Sequence, residues 1–153
     1  MIQTVIDLLI EARLRELEAI NQYMAHHYEL ENKGLNKLAT KIKEIAIVEM
    51  KHAEKLAKRI LFLKGKPISR LDTAPKKGQE ISEMLATDIV LERRAVNMYD
   101  EAAVICAFEK DQKSKELFEE LLSDEQGHLN FFENIKAHVD KLGIDYIANF
   151  TDK

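Results

Sequence analysis

The chain has few places to stop a helix once one has started. Gly34 stands alone between two charged, apolar-rich stretches, Gly65, Pro67, Pro75 and Gly78 cluster together, and Gly143 lies near the end. Glycine and proline contribute only 5 and 2 of 153 residues. The sequence between the breaks is thus free to run as long helices. The breaks predict helices over about 4–33, 35–64, 80–109 and 111–142, then a short helix over 144–150, in one domain spanning 1–153. This length is enough to bury a core, and a charged fraction of 33% against 46% hydrophobic suits a soluble globular chain.

Composition also excludes partners. A net charge of −4 argues against DNA, which calls for a basic surface. The longest apolar run, Ala102 to Phe108, is too short to cross a bilayer, so no membrane is expected. The N-terminal stretch carries no basic residue before Asp7 and does not read as a signal peptide. The single cysteine, Cys106, rules out an internal disulfide and a four-cysteine metal site, which makes a reducing cytoplasm the default compartment. Cys106 itself reads as a small apolar packing residue.

Each long segment carries a seam with steps of three and four. The first has Leu9, Ala12, Glu16, Ile20, Tyr23 and His27; the second has Leu38, Ile42, Ile45, Glu49, His52, Leu56 and Leu63. The third has Ile81, Leu85, Asp88, Glu92, Ala95, Tyr99, Ala102 and Cys106. The fourth has Phe118, Leu121, Glu125, His128, Phe132, Ile135, Val139 and Leu142. These are core-facing stripes of an all-α bundle. Short turns at Gly34 and Asp111 make antiparallel hairpins. The long connection between the second and third helices permits them to run parallel, which is the ferritin-like four-helix bundle with one long crossover.

The anomaly is a carboxylate in the middle of every seam. Glu16 and Glu49 are 33 residues apart, as are Glu92 and Glu125. A shift of 76 maps Glu16 onto Glu92, Glu49 onto Glu125, His52 onto His128 and Tyr23 onto Tyr99. The chain therefore reads as two related helical hairpins, each supplying one Glu and one Glu-x-x-His whose side chains share a helix face. Four buried carboxylates are unfavourable without counter-charge. Two divalent cations would neutralise them, and a ligand set of oxygens with some imidazole suits iron or manganese. The same shift also relates Glu44 to Glu120, so it selects ligands only in combination with seam position.

Three stretches carry a family resemblance: Glu16-Leu-Glu-Ala-Ile-Asn-Gln-Tyr23, Glu49-Met-Lys-His-Ala-Glu54 with Arg59-Ile-Leu-Phe-Leu63, and Asp124-Glu-Gln-Gly-His128. Together they resemble bacterioferritins, and the likeness covers nearly the whole chain. The resemblance implies a ferroxidase that holds two irons per subunit, oxidises Fe(II) with O2 or H2O2 and stores ferric mineral. Glu16 and Glu92 would be terminal ligands, Glu49 and Glu125 bridges, and His52 and His128 one nitrogen ligand for each iron. Tyr23 would sit beside the site; read without the resemblance, it is equally a core aromatic with a satisfied hydroxyl. Neighbouring Glu18 is not expected to be a ligand.

Met50 lies about 100° off the core seam, on a second face with Ala39, Ala46, Ile47, Ala53 and Ala57. Leu17, Met24 and Tyr28 form a similar face on the first helix. Two such faces predict a two-fold dimer. By spacing alone Met50 is a plain interface methionine. The resemblance implies a haem axial ligand, with one haem per dimer, assembly into a 24-subunit shell, and a ferredoxin-type reductant. Ile144, Tyr146, Ile147 and Phe150 of the tail are expected to close a symmetry contact. His26 and His138 are expected at the surface, and His27 as a satisfied core residue. The sequence departs from the family at Glu44 and Val48, where some members carry a cavity-facing His and Asp, and at Asn130, often acidic. The alternative reading is a rubrerythrin-like di-iron peroxidase without a rubredoxin domain. A DNA-coating mini-ferritin is disfavoured, because each chain supplies a complete site and Thr151-Asp-Lys153 is not basic.

Overall fold

A computed structural model describes residues 1–148. The described residues form five helices: α1 (Ile2–Asn32), α2 (Asn36–Phe62), α3 (Ile81–Phe108), α4 (Gln112–Leu142) and α5 (Ile144–Ala148). None of them is long and apolar enough to cross a membrane. The predicted boundaries are shifted by at most two residues for α1 to α4. Phe150 and Thr151-Asp-Lys153 fall outside the described residues.

The helix ends show why the chain breaks where it does. α1, α2 and α3 each finish with an amide reaching back five residues: Leu35 to Leu30, Gly65 to Ile60 and Asp111 to Cys106, at 3.0, 2.9 and 2.9 Å. This closure needs a left-handed residue just before the donor. Gly34 supplies it after α1 at φ +80°, but Lys64 and Lys110 supply it after α2 and α3, at φ +71° and +61°. The last two breaks are thus made by residues with no turn signature. Gly65 matters for another reason: a Cβ there would come within 2.8 Å of Ile6 Cγ2. At the helix starts, Glu80 and Glu83 cap α3 reciprocally, and Asp111 accepts from the Ser114 amide at 3.0 Å.

Contacts set the topology. α1 packs along α2, and α3 along α4. The crossover, residues 63–80, travels up α1. Arg13 donates to Ile68 O, Arg15 pairs with Asp72, Gln22 holds Lys76, and Glu29 accepts from the Gly78 amide. α3 then passes back down α1, with Asp88 against His26, Glu92 against Tyr23 and Tyr99 against Glu16. Since α1 is antiparallel to both α2 and α3, those two run parallel, the arrangement the long connection predicts.

Two apolar clusters fill the bundle. One gathers Tyr23, Leu30, Leu38, Ile42, Met84, Leu85, Phe132 and Ile135; the other gathers Val5, Leu9, Leu56, Ile60, Tyr99, Cys106, Phe118 and Leu121. On every helix the carboxylates at 16, 49, 92 and 125 fall between these clusters, so the polar layer lies between two hydrophobic plugs. Cys106 is buried in the second plug.

Three expectations are corrected. Ala39, Ala46 and Ala53 are buried within the chain at the α1–α2 seam, because small side chains let the two backbones close together; only Ile47 and Met50 of that face stand exposed, with Ala57 half-buried. Ile147 belongs to the chain's own core, at 2% exposure, where the tail folds back on α4. His26 is fully buried, since the crossover covers it.

Candidate metal centre

The four seam carboxylates meet in one layer. Glu16, Glu49, Glu92 and Glu125 are all no more than 1% exposed, His52 is buried, and His128 is partly so. The layer resolves into two overlapping groups, Glu16–Glu49–His52–Glu125 and Glu49–Glu92–Glu125–His128, each able to bring four ligand atoms within 4.8 Å of one another. Glu49 and Glu125 belong to both groups. Glu16 with His52 belongs only to one, and Glu92 with His128 only to the other.

Hydrogen bonding fixes the edges of the layer and leaves its middle open. Tyr23 donates to Glu92 Oε1 at 2.6 Å, and Tyr99 donates to Glu16 Oε1 at 2.8 Å. Each terminal carboxylate therefore has one oxygen held by a tyrosine from an opposing helix. His52 Nδ1 lies 3.1 Å from Glu16 Oε2 and 3.1 Å from Glu125 Oε1. Both oxygens of Glu49, both of Glu125, Glu92 Oε2 and His128 Nδ1 are buried with no hydrogen-bond partner. Native interiors leave few such atoms, and six in one layer call for a ligand. Every one of the six is a metal-donor type, and the shared carboxylates carry four of them. The residues present therefore fit a pair of cations, with Glu49 and Glu125 common to both candidate groups.

Without cations, protons must balance the charge. Burial drives the Glu16 carboxyl well above the ordinary range, and the charges of Glu49 and Glu125 add to the rise. Burial pushes Glu92 up to about 8. Burial also raises Glu49, but the flanking imidazoles outweigh it and hold Glu49 low. For His128 burial favours the neutral ring; contacts to Glu125, Glu49 and Glu92 overcome that and push it up to about 12, and for His52 contacts to Glu125, Glu16 and Glu49 likewise overcome burial and raise the ring. Tyr23 and Tyr99 are driven well above their usual value, first by burial and then by the adjacent acids, so both remain donors.

The structure brings together Glu16, Glu49, His52, Glu92, Glu125, His128 and Tyr23. It leaves Met50 apart, 53% exposed on the outer side of α2. Glu18 is buried but lies outside both groups, paired with Arg15 at 2.7 Å and Arg94 at 2.9 Å. Two residues in the layer's surroundings are additions. Tyr99, the image of Tyr23 under the 76-residue shift, carried a signal in the repeat. Asp124, whose Oδ2 lies 2.8 Å from His52 Nε2, stands one residue off the seam, so periodicity gives no sign of it. A separate buried pair also emerged, with His26 Nδ1 2.9 Å from Asp88 Oδ1. His27 sits in the core as expected, its Nδ1 2.6 Å from Ala39 O, and His138 stacks on Tyr146.

A four-helix bundle with one long crossover, enclosing four carboxylates and two histidines as overlapping clusters, defines a ferritin-like two-metal carboxylate protein. Residues 6–142 match the ferritin-like domain family. The chain is 38% identical over 144 residues to a bacterioferritin of Desulfovibrio desulfuricans, covering 94% of this chain and 80% of the relative. It is 42% identical over 140 residues to one of Rhodobacter capsulatus, covering 91% and 86%. The X-ray structure of the Desulfovibrio desulfuricans bacterioferritin, which describes its diiron site in different catalytic states, superposes with a TM-score of 0.93 at 36% identity, over 97% of this chain and 86% of that one. The Rhodobacter capsulatus bacterioferritin, solved with a metal-free dinuclear site and haem iron in a crystallographic special position, gives 0.90 at 40% identity over 96% and 92%. The chain belongs to the bacterioferritin family.

Proposed function

We infer that this protein is a ferroxidase and iron-storage subunit that takes Fe(II) as its substrate. One observation carries the reading: six buried donor atoms without hydrogen-bond partners, held between two apolar plugs in a layer of four carboxylates. Glu16 and His52 would hold one iron, Glu92 and His128 the other, and Glu49 and Glu125 both. The shared carboxylates would set the two irons roughly 3.5–4 Å apart, as two-metal chemistry requires. Tyr23 and Tyr99 orient the terminal carboxylates by occupying one oxygen of each, and the plugs keep bulk water away. Two Fe(II) give up one electron each. With two protons, these electrons reduce O2 to H2O2, or H2O2 to two waters, so atoms and charge balance.

The ferric product would accumulate as mineral in a closed shell of 24 subunits, about 420 kDa. Met50, exposed beside Ile47, offers a thioether suited to haem iron. Met50 from each of two copies meeting across this face would hold the haem, which when bound would supply electron transfer, with a ferredoxin-type reductant as the partner. The cytoplasm is the compartment assigned, on the single cysteine.

Anaerobic Fe(II) titration should saturate near two irons per chain. The variant Glu92→Ala/Glu125→Ala should lose rapid oxidation; unchanged oxidation would reject the centre. A particle near 420 kDa supports the shell, whereas a dimer of about 35 kDa supports the rubrerythrin-like peroxidase. A Soret band abolished by Met50→Leu supports the haem assignment.

A further inference from the structure

The two halves of the centre differ in what stands behind each imidazole. His52 turns Nδ1 to the carboxylates, and its Nε2 lies 2.8 Å from Asp124 Oδ2. Asp124 is 48% exposed and reaches the ring from the solvent side. His128 also turns Nδ1 inward, 3.5 Å from Glu92 Oε1 and 3.6 Å from Glu125 Oε1, but that nitrogen has no hydrogen bond. Among the described residues, no carboxylate stands behind the His128 ring as Asp124 stands behind His52. The internal repeat accounts for the difference. Asp124 immediately precedes Glu125, and the position that precedes Glu49 is Val48, which has no acceptor.

An imidazole binds a metal through a nitrogen without a proton, and the ring keeps its proton on the other nitrogen. An acceptor at that second nitrogen fixes the tautomer, holds the ring plane and strengthens the ligand. We propose that Asp124 is a positioning residue that fixes His52 as an Nδ1 ligand, making the Glu16–His52 half the tighter of the two metal positions. The pseudo-symmetric ligand set is therefore functionally asymmetric, and the asymmetry comes from one residue outside it. This rests on the two-metal reading above.

Calorimetric titration with Co(II) tests it in two backgrounds, each keeping one imidazole. In His128→Ala, adding Asp124→Ala should weaken Co(II) binding roughly 10–100-fold. Asp124→Asn, whose amide oxygen can still accept from Nε2–H, should recover most of that loss. In His52→Ala, adding Asp124→Ala should change affinity by less than about two-fold, as for uncoupled residues. The otherwise native Asp124→Ala protein provides a further readout: its two Co(II) binding steps should move closer together. Equal weakening in both backgrounds, which a general electrostatic or structural role would give, overturns the proposal, as does no weakening in the first. Failure of the unmodified protein to bind Co(II) at all would reject the two-metal reading instead.

Discussion

Two sites in this bundle bury acids beside imidazoles, and they are built on opposite principles. At the central layer four carboxylates face two histidines, and six donor atoms have no hydrogen-bond partner. About three turns from Glu16 along α1, His26 faces Asp88 alone. Nδ1 contacts both Asp88 oxygens at 2.9 and 3.1 Å, and Nε2 lies 3.1 Å from Gln79 Oε1 and 3.0 Å from Gln22 Nε2. Gln22 in turn exchanges two hydrogen bonds with the Lys76 backbone. The pair is charge-matched and satisfied, and it ties the crossover to α1 and α3. Burial of an acid is common to both sites. Excess charge and missing partners mark only the one that fits metal.

The largest expected contrast is in metal binding. Removing both shared carboxylates with Glu49→Ala/Glu125→Ala should eliminate tight Co(II) binding in calorimetry. Replacing the satisfied pair with His26→Leu/Asp88→Leu should leave about two Co(II) per chain, because neither residue belongs to either candidate ligand group. Loss of metal from the second variant would break the comparison.

Stability comes next. Asp88→Ala alone strands a buried histidine and should cost about 3–5 kcal/mol in denaturant unfolding. Replacing both partners with leucine should cost less, since no unpaired group remains. Equal costs would show that the pair contributes nothing as a unit.

A smaller effect is proton release. Glu92 is raised to about 8, so its contribution to metal-free stability is complete below its ordinary 4.5 and is lost as pH rises through 8. His128 follows the same sign, complete below 6.5 and lost only as pH approaches about 12. Near neutrality the metal-free layer thus holds protons that a metal must displace. Co(II) binding should release protons, seen as a heat that varies with buffer ionisation enthalpy, and affinity should rise from pH 6 to 8. A buffer-independent heat would contradict this.

The smallest effect belongs to the satisfied pair. Burial raises Asp88 to about 6, against the pull of His26. For His26, burial is outweighed by Asp88 and the ring is raised. Both groups therefore stabilise most at low pH, Asp88 losing its part between 3.8 and about 6 and His26 losing its part above 6.5. Urea unfolding should show a flatter pH dependence across this range in Asp88→Asn than in the unmodified chain. An unaltered slope would remove the pair from the titration.

Much of this was legible in one dimension. Helix number, the long crossover and the six residues of the carboxylate–histidine layer follow from seam periodicity and the 76-residue repeat, since a helix places residues three and four apart on one face whatever surrounds it. Met50 was legible as an off-seam apolar residue and stands exposed as such. His26 was misplaced because periodicity describes one helix at a time. It lies off the α1 seam and would be exposed if the crossover did not run over it. The alanines of α2 were misplaced for a related reason: a small apolar residue suits an outer face and a tight helix–helix seam equally well, and only the partner's position decides. The breaks after α2 and α3 fell on Lys64 and Lys110, which carry no turn preference.

Sequence by itself determined the residue types of the layer, their register and the charge that must be balanced, because these depend on residue identity and on a helical period that chain neighbours enforce. Tertiary structure alone decided which oxygen each tyrosine occupies, which donor atoms are left without partners, and that Asp124 stands behind His52 while nothing comparable stands behind His128. Such contacts join residues 69 to 83 positions apart, as between Tyr23 and Glu92 or Glu16 and Tyr99. They depend on how helices pack, which no local pattern encodes.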